Sequence, residues 1–142
     1  MGHKGEQGTR DTEHGTRNET FRRPRKGDDL SERLLAAVGR VQRLLCALQR
    51  DAASRHVAQQ LWRAATGGGA NYEEARGAES RADFVHKVRV ATKELREALY
   101  WLRVTRRSNW VKPGAIDDLV GELDQLVAIL VTSARTAKSR TP

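Results

Sequence analysis

The sequence predicts an all-α protein: an antiparallel up-down-up-down four-helix bundle preceded by a disordered polar tail. Three observations carry this. Apolar residues recur at alternating spacings of three and four in successive stretches, the period of one helix face. Aromatic residues make up only 5% of the 142 residues and prolines number three, so the core must be mostly Leu, Val and Ala, which suit helices better than sheets. The connections between periodic stretches are mostly short, which makes consecutive helices antiparallel neighbours.

Residues 1–29 are the predicted tail. After Met1 their only large apolar side chain is Phe21, too little burial to offset the entropy of ordering. The tail holds seven Lys or Arg against six Asp or Glu, so most of the net charge of +8 belongs to the remainder. That balance, with a pI of about 10.4, favours polyanions as partners: nucleic acid first, an anionic membrane surface second. Within the tail, Arg22 to Lys26 form a short basic cluster that reads as a solvated run. No apolar run approaches the ~18 residues that span a bilayer, and the N-terminus lacks the apolar region of a secretory signal. The expectation is a cytoplasmic protein with no membrane partner. The single cysteine, Cys46, has no internal partner and lies in the apolar run Leu44 to Leu48, so it reads as a small core residue and not as a nucleophile.

The bundle is predicted over residues 30–136, with helices at about 30–51, 54–78, 81–107 and 115–136 and a frayed end at 137–142. In the first helix, Asp29 or Ser31 can cap the start. Leu34, Val38, Val41, Leu45 and Leu48 then form an unbroken heptad seam. In the second, the seam runs Val57, Leu61, Ala64, Gly68, Asn71, Ala75, Ala78. Three consecutive glycines, Gly67 to Gly69, usually mark a loop. Here they fall in phase with the seam, so the helix is continued through them. Small residues let a neighbouring backbone approach, and Gly68 is read as the tight-packing position. Asn71 is read as a polar seam residue that sets register. A plain flexible loop is the competing reading. A phosphate-cradling loop is disfavoured because neither GxxxxGK[ST] nor GxGxxG is present.

The third helix opens on Ser80-Arg81-Ala82-Asp83, a capping-box pattern in which Ser80 accepts from a backbone N–H and Asp83 reaches back. Phe84, Val88, Ala91, Leu95, Ala98 and Leu102 form its seam. Five residues on from a seam position a helix points about 140° away. That step places Arg89, Lys93, Arg96, Tyr100, Arg103 and Arg107 along one outer face, with Arg106 and Lys112 close by. This basic stripe with one aromatic is the candidate nucleic-acid-binding surface, because cations neutralise phosphates and Tyr100 can stack on a base. The competing reading is a solvated face in which Lys93 pairs with Glu97. The fourth helix follows the Lys112-Pro113-Gly114 break, with Asp117 and Asp118 at its positive end and Arg135 and Lys138 at its negative end.

No catalytic residue, metal ligand or cofactor is assigned. His3, His14, His56 and His86 belong to no HExxH or CxxC arrangement. Glu73, Glu74, Glu79 and Asp83 lack the Glu-x-x-His pairs of a carboxylate-bridged metal centre, so capping and salt-bridging is their reading. The chain is expected not to be an enzyme.

The run from Gly67 to Leu102 resembles the signature of the 23S rRNA intervening-sequence proteins, the S23 family of four-helix bundles. The matching residues are Ala70-Asn71 through Glu74-Ala75, Glu79-Ser80, Asp83-Phe84, Lys87, the Ala-x-Lys-Glu stretch Ala91 to Glu94, and Glu97 with Tyr100-Trp101-Leu102. The likeness spans roughly residues 30–135. It departs at Thr66 to Asn71, where the family commonly has Thr-Ser-Ile before its small residue and Ala-Asn. The resemblance implies a ring-shaped homopentamer, a basic homo-oligomer with an RNA- or DNA-related role. A related branch, the accessory variability determinant of diversity-generating retroelements, implies a second reading: a scaffold that docks a reverse transcriptase or another nucleic-acid enzyme. Trp62, Trp101 and Trp110, outside the core seams, are the candidate docking residues.

Overall fold

The computed structural model describes residues 1–2 and 23–140. Its helices are α1 (Asp28–Leu45), α2 (Ala52–Arg76), α3 (Arg81–Arg107) and α4 (Asp117–Ser139), with a single 3-10 turn, Cys46–Leu48, after α1. They form the predicted all-α bundle. Most of the predicted N-terminal tail and the last two residues lie outside the described residues. Neighbouring helices run antiparallel: His56 meets Trp101 at one end of the α2–α3 pair, and Glu74 meets Lys87 at the other. This pair is the most extensive in the bundle, and α1 against α4 is the least.

The seams explain the core. Leu34, Val41, Leu61, Val88, Leu95, Leu102, Leu123 and Leu130 are all essentially inaccessible to solvent. Burying a side chain of this size contributes roughly 1.5–3 kcal/mol each. Along α2 the seam stays buried through Gly68 and Ala75, so the glycine triplet is helical, not a loop. A β-carbon at Gly68 would sit well inside contact distance of Leu95 Cδ2 and 2.9 Å from Leu95 Cγ. Gly69, one residue on, has open space where its side chain would be. At Gly67 a β-carbon would come within 3.1 Å of Glu94 Oε2, the end of a flexible side chain, so Gly68, against the buried Leu95, is the glycine that sets most tightly how closely α2 and α3 approach.

Several local expectations need correction. Neither Asp29 nor Ser31 caps α1. Gly27 occupies the cap position at φ +89°, with no side-chain bond, and Asp28 accepts from the Arg25 N–H. A β-carbon on Gly27 would approach Tyr72 Oη to 2.5 Å, so both backbone and packing require glycine there. Asn71 does not bridge to a neighbouring helix: half-buried, it donates to the Gly67 carbonyl of its own helix at 2.9 Å, so the register-setting reading fails. Ser80 does accept from the Asp83 N–H at 3.1 Å, but the Asp83 carboxylate does not accept from the Ser80 N–H in return. The complete capping box is at α2, between Asp51 and Ser54. Cys46 is exposed. It follows Val41 by five residues, so helical phase turns it about 140° from the seam despite its apolar neighbours. The first helix tightens at Cys46 instead of continuing to 51, and α4 stays helical to Ser139.

Where α1 and α4 meet, a polar clamp substitutes for extensive apolar contact. Arg33 donates to both carboxylate oxygens of Glu122, at 2.8 and 3.0 Å, and to Gln125 Oε1 at 3.1 Å. The forked geometry matches guanidinium to carboxylate. Hydrogen bonding from Arg33 holds the Glu122 carboxyl below its ordinary pKa.

Candidate nucleic-acid interface

The outer face of α3 follows from the same period that builds its core face. Val88, Ala91, Leu95, Ala98 and Leu102 point inward and are fully buried. Arg89, Lys93, Arg96, Tyr100, Arg103 and Arg107 are all exposed, in one line over about 27 Å of helix at ~1.5 Å per residue. Among the described residues, none of those five cations has a carboxylate within ion-pair distance. The Lys93–Glu97 pair of the competing reading does not form. Glu97 instead accepts from Trp101 Nε1 at 3.3 Å.

Arg106 leaves the line. It lies nearer the core side of α3 and pairs with Asp117 Oδ1 at 2.9 Å, tying the end of α3 to the start of α4. Lys112 is exposed in the connection between these helices, off the helical stripe. The structure therefore brings together six of the eight candidate residues on one face.

Tyr100 is 56% exposed and stands at the centre of the line. Its ring meets the Trp101 ring edge-on, centroids 4.9 Å apart at 70°. Trp101 in turn meets His56 of α2 edge-on at 5.8 Å and 83°. Such edge-to-face contacts are preferred by aromatic quadrupoles. The His56–Trp101–Tyr100 row crosses from α2 and fixes the platform between Arg96 and Arg103. Sequence reading missed the role of His56. The signal is long-range, since antiparallel register alone brings residue 56 beside 101.

The three tryptophans do not form a common docking face. Trp101 and Trp110 pack against the core, and only Trp62 is appreciably exposed, at 39%. A cleft of about 1070 Å³ opens at the far end of the bundle, walled by Tyr72, Phe84 and Thr132 among others. No residue of the α3 line borders it. Among the described residues, no cluster of His, Cys, Asp and Glu can hold a metal ion, and no helix is long and apolar enough to cross a membrane.

Fold and surface define a class: a small all-helical bundle with a row of exposed cations along one helix face, none of them in an ion pair among the described residues. The sequence profile of the 23S rRNA-intervening sequence proteins matches residues 32–132, and the chain belongs to that family. A solved structure of a protein of unknown function from the S23 ribosomal protein family of Bacteroides thetaiotaomicron is similar, with 25% identity and a TM-score of 0.68 over 75% of this chain and 98% of that one. No curated protein matches the chain.

Proposed function

We propose that this protein is a non-enzymatic, basic, oligomeric bundle that binds RNA or DNA through the outer face of α3. The observation that supports the reading is the line Arg89, Lys93, Arg96, Arg103 and Arg107: five exposed cations with no carboxylate partner among the described residues. Uncompensated cations in a row attract phosphates and release condensed counterions, giving affinity without sequence reading. The family's description, which ties it to 23S rRNA, accords with this. A salt series with labelled RNA and DNA tests it. The negative slope of log affinity against log salt should become shallower by about 2 to 3 in an Arg96, Arg103, Arg107 triple alanine variant, at roughly 0.7–0.9 for each phosphate no longer neutralised. Arg106→Ala should change the slope far less, because its partner is Asp117. Absence of binding at low salt, or an unchanged triple variant, would sink the proposal.

The oligomer has its own supporting observation, on the opposite side of α2. Leu35 is 66% exposed and Trp62 39% exposed. Ser31 of α1 donates to Glu73 of α2. Leu35 lies one turn from Ser31, and Gly69 and Trp62 lie four and eleven residues before Glu73, so all share the α1–α2 face by helical phase. Two exposed apolar side chains and open space at Gly69 on one face suit contact with a second copy of this chain. Light scattering should report a multimer at micromolar concentration, and Leu35→Glu should shift it toward monomer. A wild-type monomer would contradict the assembly.

A further inference from the structure

We infer that the α3 face selects unpaired over base-paired nucleic acid, with Tyr100 as the base-stacking platform. This rests on the nucleic-acid reading above and specifies its ligand. Two features of the surface carry it.

The first is the arrangement of charge. The cations form one row, so they can follow one sugar-phosphate backbone. At the ~3.4 Å rise of a stacked strand, 27 Å corresponds to about eight nucleotides. A helix lying in a duplex groove meets phosphates on both flanks. Here the flank toward α2 carries Glu94 and Glu97, and the opposite flank turns into the α3–α4 contact. A second row of phosphates would face carboxylates on one side and the bundle itself on the other.

The second is Tyr100. It interrupts the row at its midpoint, where a purely electrostatic surface would have a further cation. The ring is more than half exposed, yet its orientation is fixed by Trp101, which is itself held by His56 and Glu97. A pre-oriented ring loses little freedom when a base stacks on it. Bases inside a duplex already stack on each other and offer no free face without being unpaired. In a single strand each base presents a π-face, and Arg96 and Arg103, one turn either side, hold the adjoining phosphates.

The test compares a labelled single strand of about 12 nucleotides, its duplex, and the same strand with an abasic run at its centre, at about 50 mM salt. Wild type should bind the single strand at least ~10-fold more tightly than the duplex, and the abasic strand more weakly than the intact one. Tyr100→Ala should weaken single-strand binding roughly five-fold or more and leave duplex binding unchanged, while Tyr100→Phe should retain the preference. Equal affinity for single strand and duplex, or an abasic strand that binds as well as the intact one, would overturn the inference and leave the electrostatic reading standing. No binding to any of the three would overturn both. Far-ultraviolet dichroism of each variant separates loss of stacking from loss of fold.

Discussion

Gly68→Leu is expected to destabilise the bundle by about 3 kcal/mol or more, read as a shift of the urea midpoint. At this point α2 and α3 touch through the Gly68 backbone and the Leu95 side chain. Even a single added carbon would overlap Leu95, which is itself 1% exposed and belongs to the buried core. Leucine adds three carbons more. The helices would have to separate along the bundle's most extensive pairing, and the packing around Ala64 and Ala91 would open with it. Gly68→Ala is expected to cost less, because the clash is smaller and alanine recovers ~1 kcal/mol of helix propensity. Combined with Leu95→Ala, its cost should be less than additive, with a coupling of about 0.5–3 kcal/mol. Gly69→Ala should have the opposite sign, a gain of about 1 kcal/mol, since nothing lies near its side-chain position. A silent Gly68→Leu would mean that helix separation is set elsewhere.

That contrast between adjacent glycines shows what the sequence carries and what it withholds. The three-four phase linking Leu61, Ala64, Gly68 and Ala75 is written in the residues, so the helix through the glycines and the α3 stripe are both legible. Phase also contradicts composition where the two differ. Cys46 has apolar neighbours on both sides, but its position off the seam exposes it. Contacts between helices are less legible, because they depend on register and end-points. Arg106 is one more basic residue in the sequence until α4 begins at Asp117 and supplies a partner. His56 looks isolated until antiparallel pairing places it against Trp101. Asn71 falls on the seam, yet satisfies its amide on its own backbone, as short polar side chains readily do.

Helix starts are the other gap, and they make a second strong expectation. Ser54→Ala should cost about 2 kcal/mol, more than a surface serine would. Sequence reading puts Ser54 at the start of α2, whereas it occupies the third helical position and is fully buried. Its hydroxyl oxygen accepts from the backbone N–H groups of Arg50 and Asp51, both at 3.0 Å, and its O–H donates to the Asp51 carbonyl at 3.1 Å. In return, its own N–H donates to Asp51 Oδ1 at 2.7 Å. The turn between α1 and α2 is thus held at both ends by two side chains. Alanine would leave two N–H groups facing a methyl. The Asp51 half of the box carries a pH signature. The Ser54 backbone N–H holds the Asp51 carboxyl below its ordinary pKa. A carboxylate with a lowered folded-state pKa contributes stability that is present above its unfolded value and is lost as pH falls through the folded one. Asp51→Asn keeps an acceptor but removes the charge, so it should stay folded at neutral pH and show a shallower loss of stability in acid than wild type. An unchanged acid profile would show that the Asp51 charge does not contribute to the cap, and an unchanged Ser54→Ala midpoint would show that water replaces the hydroxyl.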